Sequence, residues 1–356
     1  MSEPTHAVPR RRGTRGPAPS EEVNLRDVAH RAGVSPATAS RVFSGHAAVS
    51  DQTRAKVLTA ADELGYVVNG LAQTMMGAGR RSLAFVTSSM AGQAFIDLAS
   101  GAEHEATTSG NLFLIALTHG DDDREREVIE TLREQRTAGV LLAGSTVPGK
   151  ESEEKIDSYA EALASVNASL VLCGHPYLPS LPTLQSVNYD QIGGVRKAVQ
   201  LLASRGHSRI AFLGWSNTTT ANQRFLGYSL GMKDADLTID STLVVECPNE
   251  VVQAHLAALL ILKSATPPTA IVCLTDQIAL GVYRAARDFK VSIPEQLAVI
   301  GFDDSPFCAD LTPTLTSIHA PFYNVGVRSA QLALKLTLQE TRVDLPTQLI
   351  VRESTG

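Results

Sequence analysis

No stretch of the 356 residues is apolar for long enough to span a bilayer, which excludes membrane-spanning helices and leads us to expect a soluble chain of two or three domains. The first residues lack the apolar core of an export signal, which argues against a secreted receptor and for a cytoplasmic protein. Cysteine is scarce. Cys173, Cys247, Cys273 and Cys308 lie far apart and share no metal-ligand or redox spacing, so they are expected to be small core or cleft residues in a reduced compartment. Also missing are a G-x-S-x-G elbow, a phosphate-cradling G-x-x-x-x-G-K-[ST] loop, a G-x-G-x-x-G turn after a strand, and any His, Cys or carboxylate cluster with metal spacing. Neither an enzyme nor a cofactor or metal is therefore expected.

The net charge of −6 hides an asymmetry. Up to Arg81 there are eleven Lys and Arg against seven Asp and Glu, or +4; the remainder has twenty against thirty, or −10. An acidic body gains nothing from a polyanion, so any nucleic-acid affinity belongs to the small basic end and falls with salt. Residues 1–22, with Arg10, Arg11, Arg12 and Arg15 among Pro, Gly and Ser, read as a disordered basic tail. Such a tail suits contact with phosphates and suits equally a solvated extension.

What is present begins at Asn24–Phe43, NLRDVAHRAGVSPATASRVF. Val28, Ala29 and Ala32 sit at helical spacing before Gly33, and Ala39 and Val42 after Pro36, which predicts two short helices and a tight turn, a helix-turn-helix. Gly33 can take the left-handed conformation that ends the first helix, Ser35 can cap the second, and Pro36 fits its first turn. With the second helix in a DNA major groove, Ser35, Pro36, Ala37, Thr38, Ser40 and Arg41 lie near bases or phosphates, and Arg41 can pair with a guanine edge. Taken alone, a hairpin of this kind is equally compatible with a purely structural role.

The next run, SDQTRAKVLTAADELGY, predicts a third helix capped by Ser50, with Val57, Leu58, Ala61 and Leu64 as its apolar stripe, Gly65 as its end and Tyr66 packing back. Roughly 45 residues is little core for independent stability. Asn69–Arg81, NGLAQTMMGAGRR, has the length of a linker, yet Leu71, Ala72, Met75 and Met76 can form a short helix that needs a partner or DNA to hold it.

From Ser82 the pattern changes. LAFVTSS, LFLIALT, GVLLAGS, SLVLCG, IAFLGW, TLVVEC, AIVCLT and LAVIGFD read as near-continuous apolar strands, joined by amphipathic stretches such as REREVIETLREQ, GGVRKAVQLLASRG and QIALGVYRAARDF. So many units exceed one sheet, which predicts two doubly wound parallel-sheet lobes with a ligand cleft between them at the strand ends.

The string LRDVAHRAGVSPATASRVFSG, followed by VSDQTRAKVLTAADELGYVVN, resembles the LacI/GalR family of transcriptional regulators, and the likeness runs from about Leu25 to the C-terminus, including LTDQIALGVYRAARDFKVSIPEQLAVIGFDD. The resemblance implies an all-α helix-turn-helix headpiece plus an α/β effector domain of periplasmic-binding-protein type, whose chain crosses between lobes three times, near Asn188, Ile318 and Asp344. Expected boundaries are a tail at 1–22, the headpiece at 23–67, a hinge helix and linker at 68–81, and an effector-binding and dimerisation domain at 82–356. Lobe 1 would take about 82–188 and 318–343, and lobe 2 about 189–317 and 344–356. In that family the linker pairs with its twin in a dimer and wedges an apolar side chain into the minor groove; here the position is Met75, with Asn69 and Ala72 beside it. Gln73 stands where Arg is usual, and Ala39 where a larger Val is usual.

The same resemblance implies effector contacts at Phe95, Asp190, Thr220, Arg224 and Asp276. Carboxylates, an Arg fork and an aromatic face suit a polyol. Each residue also has a plainer role: Asp276 as a helix cap, Arg224 as an ion pair bridging the lobes, Phe95 as core. Trp215, the only Trp, ends a strand on the cleft side and suits a buried structural role equally; Asp303 and Asp304 are assigned to a turn. Gln93 and Ala94 replace the usual Pro and Phe, Gly174 and His175 an Asp and Arg pair, and Gln191 an Asn, so the pocket is reshaped. His175 is a candidate ligand contact or an incidental strand-end residue. The expected function is a DNA-binding regulator, read as a repressor, acting as a homodimer, with a tetramer left open. Its expected partners are a near-palindromic duplex operator and a small-molecule effector, first a sugar; a nucleoside-responsive regulator and an orphan without effector are the alternatives.

Overall fold

The computed structural model describes residues 23–43, 49–66 and 81–356. The expected basic tail and nearly all of the expected hinge, with Asn69, Ala72 and Met75, lie outside them. Two compact units divide between Gly79 and Arg80.

The first unit is a three-helix cluster, α1 (Leu25–Ala32), α2 (Pro36–Phe43) and α3 (Asp51–Glu63). Its helix ends follow from local chemistry. Asn24 and Asp27 cap α1 reciprocally, the Asn24 side chain accepting from the Arg26 amide at 2.9 Å and Asp27 from the Asn24 amide at 2.8 Å. Gly33 ends the helix at φ 66°, a conformation costly for any residue with a Cβ. Ser35 accepts from the Thr38 amide at 3.1 Å and Ser50 from the Thr53 amide at 3.3 Å, so both later helices are capped by serine. Val28, Ala29, Ala39, Val42, Val57, Ala60 and Ala61 form the buried core, and Phe43 and Tyr66 close it with ring centroids 5.7 Å apart. One expectation is corrected here. Leu58 is 50% exposed and Ala60 takes its place, because the face defined by Val57 returns at the third and fourth residues, not the next one.

The second unit holds two six-stranded sheets. Lobe 1 contains β1 (Ser82–Thr87), β2 (Leu112–Leu117), β3 (Gly139–Ala143), β4 (Ser169–Cys173), β5 (Gln185–Tyr189) and the late strand β11 (Arg342–Leu345), in the order β11-β5-β4-β3-β1-β2, all parallel. Lobe 2 contains β6 (Ile210–Trp215), β7 (Val244–Glu246), β8 (Ala270–Cys273), β9 (Ala298–Asp303), β10 (Thr316–His319) and β12 (Gln348–Ile350), in the order β12-β10-β9-β8-β6-β7, with β12 antiparallel to β10. The chain therefore changes lobe at Asp190, at Ala320–Pro321 and at Pro346–Thr347, slightly beyond the positions read from the sequence. The central strands are buried on both faces because helices cover both, while the edge strands β2, β7, β11 and β12 are partly exposed; the helices are α4 (Gln93–Thr108), α5 (Asp122–Glu134), α6 (Lys150–Ala164) and α11 (Phe322–Ala333) in lobe 1, and α7 (Gln191–Ser204), α8 (Thr219–Asp234), α9 (Val251–Leu262) and α10 (Asp276–Phe289) in lobe 2.

The closest helix packing is that of α4 on α11. A Cβ at Gly101 would fall onto the Tyr323 carbonyl, and one at Gly326 onto the Leu98 carbonyl, so both positions need glycine for the backbones to meet. This brings Phe322, at the start of α11, and Phe95, in the first turn of α4, to the inner side of lobe 1. No described helix is long and apolar enough to cross a membrane.

Candidate functional site

In the first unit, Ala39 and Val42 turn into the core, which leaves the opposite side of α2 outward. Ser35, Pro36, Ala37 and Arg41 are exposed there, and Thr38 and Ser40 are half-buried. The Ser35 and Thr38 hydroxyls lie 2.9 Å apart and bond each other at this corner of the face. An exposed cation on a short, capped helix of eight residues fits the width of a DNA major groove.

In the second unit, a cavity of about 340 Å³ opens between the lobes at the C-terminal ends of the parallel strands. Lobe 1 contributes an apolar wall, Phe95, Leu98 and Phe322, with Ser88 and Ser145 at its rim; lobe 2 contributes Ser216, Thr218, Thr220, Asn249 and Gln277. Arg224 and Asp303 are the charged residues among those lining it. They pair, Arg224 Nη2 donating to Asp303 Oδ1 at 3.4 Å.

Arg224 is fixed from every side. Its Nε donates to Gln191 Oε1 at 3.2 Å, Nη1 to the Leu274 carbonyl, and Nη2 also to the Tyr189 hydroxyl at 3.0 Å, while the guanidinium lies 3.5 Å from the centroid of the Phe302 ring. Tyr189 ends β5 in lobe 1, so its hydroxyl ties Arg224 to both lobes at the hinge, whereas the ion pair with Asp303 stays within lobe 2 and does not bridge the lobes as the sequence reading had it.

The two carboxylates of this region differ in how far the chain itself satisfies them. Asp276 is fully buried in the first turn of α10, with Oδ1 accepting from the Ser317 hydroxyl at 2.6 Å and Oδ2 from the Ser305 amide at 2.7 Å. Both oxygens accept from the chain itself, and Asp276 is not among the residues lining the cavity. Burial raises its pKa, opposed by those hydrogen bonds. Asp303 ends β9 at φ 109° and does line the cavity; among the described residues only its Oδ1 has a hydrogen-bond partner. Its pKa is pushed up to about 7 by burial, with Arg224 opposing and the Asp276 carboxylate adding to the rise. Asp304 keeps the structural role, pairing with Arg352 at 2.7 Å and His319 at 3.3 Å.

Asp190 likewise stands outside the cavity lining. It is exposed, and its Oδ1 caps α7 by accepting from the Gly193 amide at 2.7 Å, away from the cavity. Phe95, Thr220 and Arg224 line the cavity. His175 does not: its ring bonds Thr146 and Pro176 within lobe 1. Trp215 packs half-buried against the core. Cys173 lines the cavity as a protonated thiol, its pKa pushed up to about 12 by burial. Two cavity residues lay outside the contacts implied by the resemblance: Tyr189, not singled out in the sequence, and Asp303, read there as a turn residue. Asp303 carried a usable signal, a carboxylate at the carboxyl end of a central parallel strand, where ligands of such sheets bind.

Comparison with known proteins follows the same division. Residues 24–69 match the family described as bacterial regulatory proteins, lacI family, and residues 199–355 match a periplasmic binding protein-like domain. The chain is 28% identical to the HTH-type transcriptional regulator DegA of Bacillus subtilis, over 94% of this chain and 98% of that one. It is 29% identical to the ribose operon repressor of Escherichia coli, over 93% and 99%. Among solved structures it resembles a complex of the transcriptional regulator CelR with cellobiose, at 28% identity and a TM-score of 0.68, covering 93% of this chain and 99% of that one.

Proposed function

Since the chain belongs to the lacI family of bacterial regulatory proteins and is a DNA-binding transcriptional regulator, we propose that it is a repressor that grips a near-palindromic operator as a homodimer and is controlled by a neutral, polyhydroxylated small molecule, first a sugar. The observation that carries the ligand class is the cavity's charge balance. Its lining charges, Arg224 and Asp303, are paired with each other, while hydroxyls and amides ring an aromatic wall. An anionic ligand would have to displace Asp303 from Arg224, whereas a sugar offers hydroxyls to the open Asp303 Oδ2, Asn249 and Gln277, and an apolar face to Phe95. The solved relative in complex with cellobiose, a neutral sugar, supports the same class.

Dimerisation is supported by exposed apolar surface on one strand and one helix. Leu112, Leu114 and Ile115 lie exposed on β2 at the edge of its sheet, and Val252, Leu256 and Leu260 form a stripe at four-residue spacing on α9, with Leu260 73% exposed. Two headpieces joined through such a dimer gain effective concentration on a two-fold site, as one headpiece alone cannot. Effector and operator are then linked reciprocally: a ligand that weakens DNA binding binds less well to the DNA complex.

Two measurements test this. Selection of bound fragments from random duplex DNA should return near-palindromic sites, and Arg41→Ala should lower discrimination among them by about 1–3 kcal/mol. Equal loss on selected and random DNA would remove Arg41 from base reading. Isothermal titration against sugars and nucleosides should give heat with neutral sugars that Asp303→Asn reduces. Heat only with nucleosides, or with none of the panel, would overturn the ligand class.

A further inference from the structure

Two lobes joined by three crossing segments can hinge, and whatever bonds them away from the hinge decides how readily the cavity opens. Thr146 follows β3, which in its sheet is separated from the crossing strand β5 by β4; Thr219 is the first residue of α8 in the other lobe. They bond each other twice. The Thr219 amide donates to the Thr146 carbonyl at 2.9 Å, and the Thr146 amide donates to the Thr219 hydroxyl at 3.2 Å. Their neighbours Ser145 and Thr218 line the cavity, so parting this pair parts the cavity wall.

Thr146 is itself held from behind. Its hydroxyl lies 2.9 Å from His175 Nε2, and His175 Nδ1 lies 2.8 Å from the Pro176 carbonyl. A carbonyl only accepts, so Nδ1 carries the ring proton and Nε2 accepts from the Thr146 hydroxyl. The histidine is 2% exposed, and the Ser186 hydroxyl donates to its carbonyl at 2.6 Å, anchoring it to β5. Burial lowers its pKa, which keeps the ring neutral and this tautomer in place.

We propose that Thr146 and Thr219 form a clasp that holds the cleft closed before any ligand binds, with His175 as the positioning residue that aims Thr146 at Thr219. Two hydrogen bonds between half-buried groups make a weak clasp, so open and closed cleft lie within reach of each other and a ligand can shift the balance. The proposal does not depend on which ligand the cavity takes.

The test is a distance distribution between spin labels on Glu127→Cys in lobe 1 and Glu250→Cys in lobe 2, both exposed, in the full-length chain without ligand. The native cysteines are buried, and dilution with unlabelled chain restricts the signal to pairs within one molecule. The unsubstituted clasp should give one narrow distribution. Thr219→Val, which removes the acceptor and keeps the shape, should add a longer-distance population, and Thr219→Ser should restore the narrow one. Thr146→Val, which keeps both backbone bonds but loses His175, should open the cleft part of the way. The thermal midpoint should stay near that of the parent in all three, separating opening from general destabilisation. A Thr219→Val distribution matching the parent, or a parent already as broad as the variant, would overturn the clasp. Opening by Thr219→Val with none by Thr146→Val would overturn the role of His175.

Discussion

The headpiece and the body use polar side chains in opposite ways. In the headpiece the polar residues of α2 face outward from a core of seven side chains, most of them alanine. In the body the decisive polar groups, Arg224 and Asp276, are 3% and 0% exposed and answered by other groups of the same chain. A surface that must read a foreign polymer turns its polar side chains outward and accepts a small core. A cavity that must recognise one small molecule fixes its donors in advance, and a large core makes that possible.

If that contrast is right, overpacking the body should be the most damaging change and should leave the headpiece alone. Gly326→Ala drives a methyl group onto the Leu98 carbonyl, and the body should lose about 3 kcal/mol in a urea titration followed by its single Trp. An equal loss of protection at headpiece amides would break the comparison, since it would mean that the two units unfold as one. A smaller effect should come from the charge kept in the cavity. The pKa of Asp303 in the folded protein lies above the ordinary carboxylate value of 3.8, so its contribution to stability is complete below that value and is lost as pH rises through about 7. Asp303→Asn, which keeps the shape without the charge, should therefore gain on the parent by about 2 kcal/mol between about pH 5 and pH 8 in denaturant titrations. A difference that does not vary with pH would place the proton elsewhere. The smallest effect belongs to the headpiece. Ser35→Ala removes the cap of α2 and should cost about 1 kcal/mol, seen as faster amide exchange at Thr38 and through α2, with none in the body.

The headpiece was legible because its signals are local: a cap, a left-handed glycine and apolar spacing lie within a few residues of each other. Leu58 was misread because adjacency in sequence was taken for adjacency on the helix face. In the body, eight strands announced themselves as apolar runs, but QSVNY, TSIH, RVDL and QLI did not. These four flank the crossings between lobes, and they are short or mixed in polarity for that reason. Asn188 in β5, for example, accepts from Gln191 and donates to Gln223 in the other lobe, at 3.2 and 3.3 Å. Missing β5 meant missing Tyr189 at its end. Which of Asp276 and Asp303 keeps an unbonded oxygen was not legible for another reason: both stand near strand ends, and only the tertiary neighbours Ser305 and Ser317 reveal which of the two is already bonded.

The stacking of Arg224 on Phe302 also bears on how such a receptor can change its ligand. Lysine offers a point charge with no plane to stack and no fork for the carbonyl, phenol and carboxylate that Arg224 serves together, so this position tolerates no conservative replacement. On the proposed reading of the cavity as an effector site, variation in specificity then runs through the opposite wall, at Phe95 and its neighbours on α4, or through Thr220 and Gln277, whose side chains have no such set of bonds among the described residues. A library built to retune the receptor should randomise those positions and leave the guanidinium as its fixed floor.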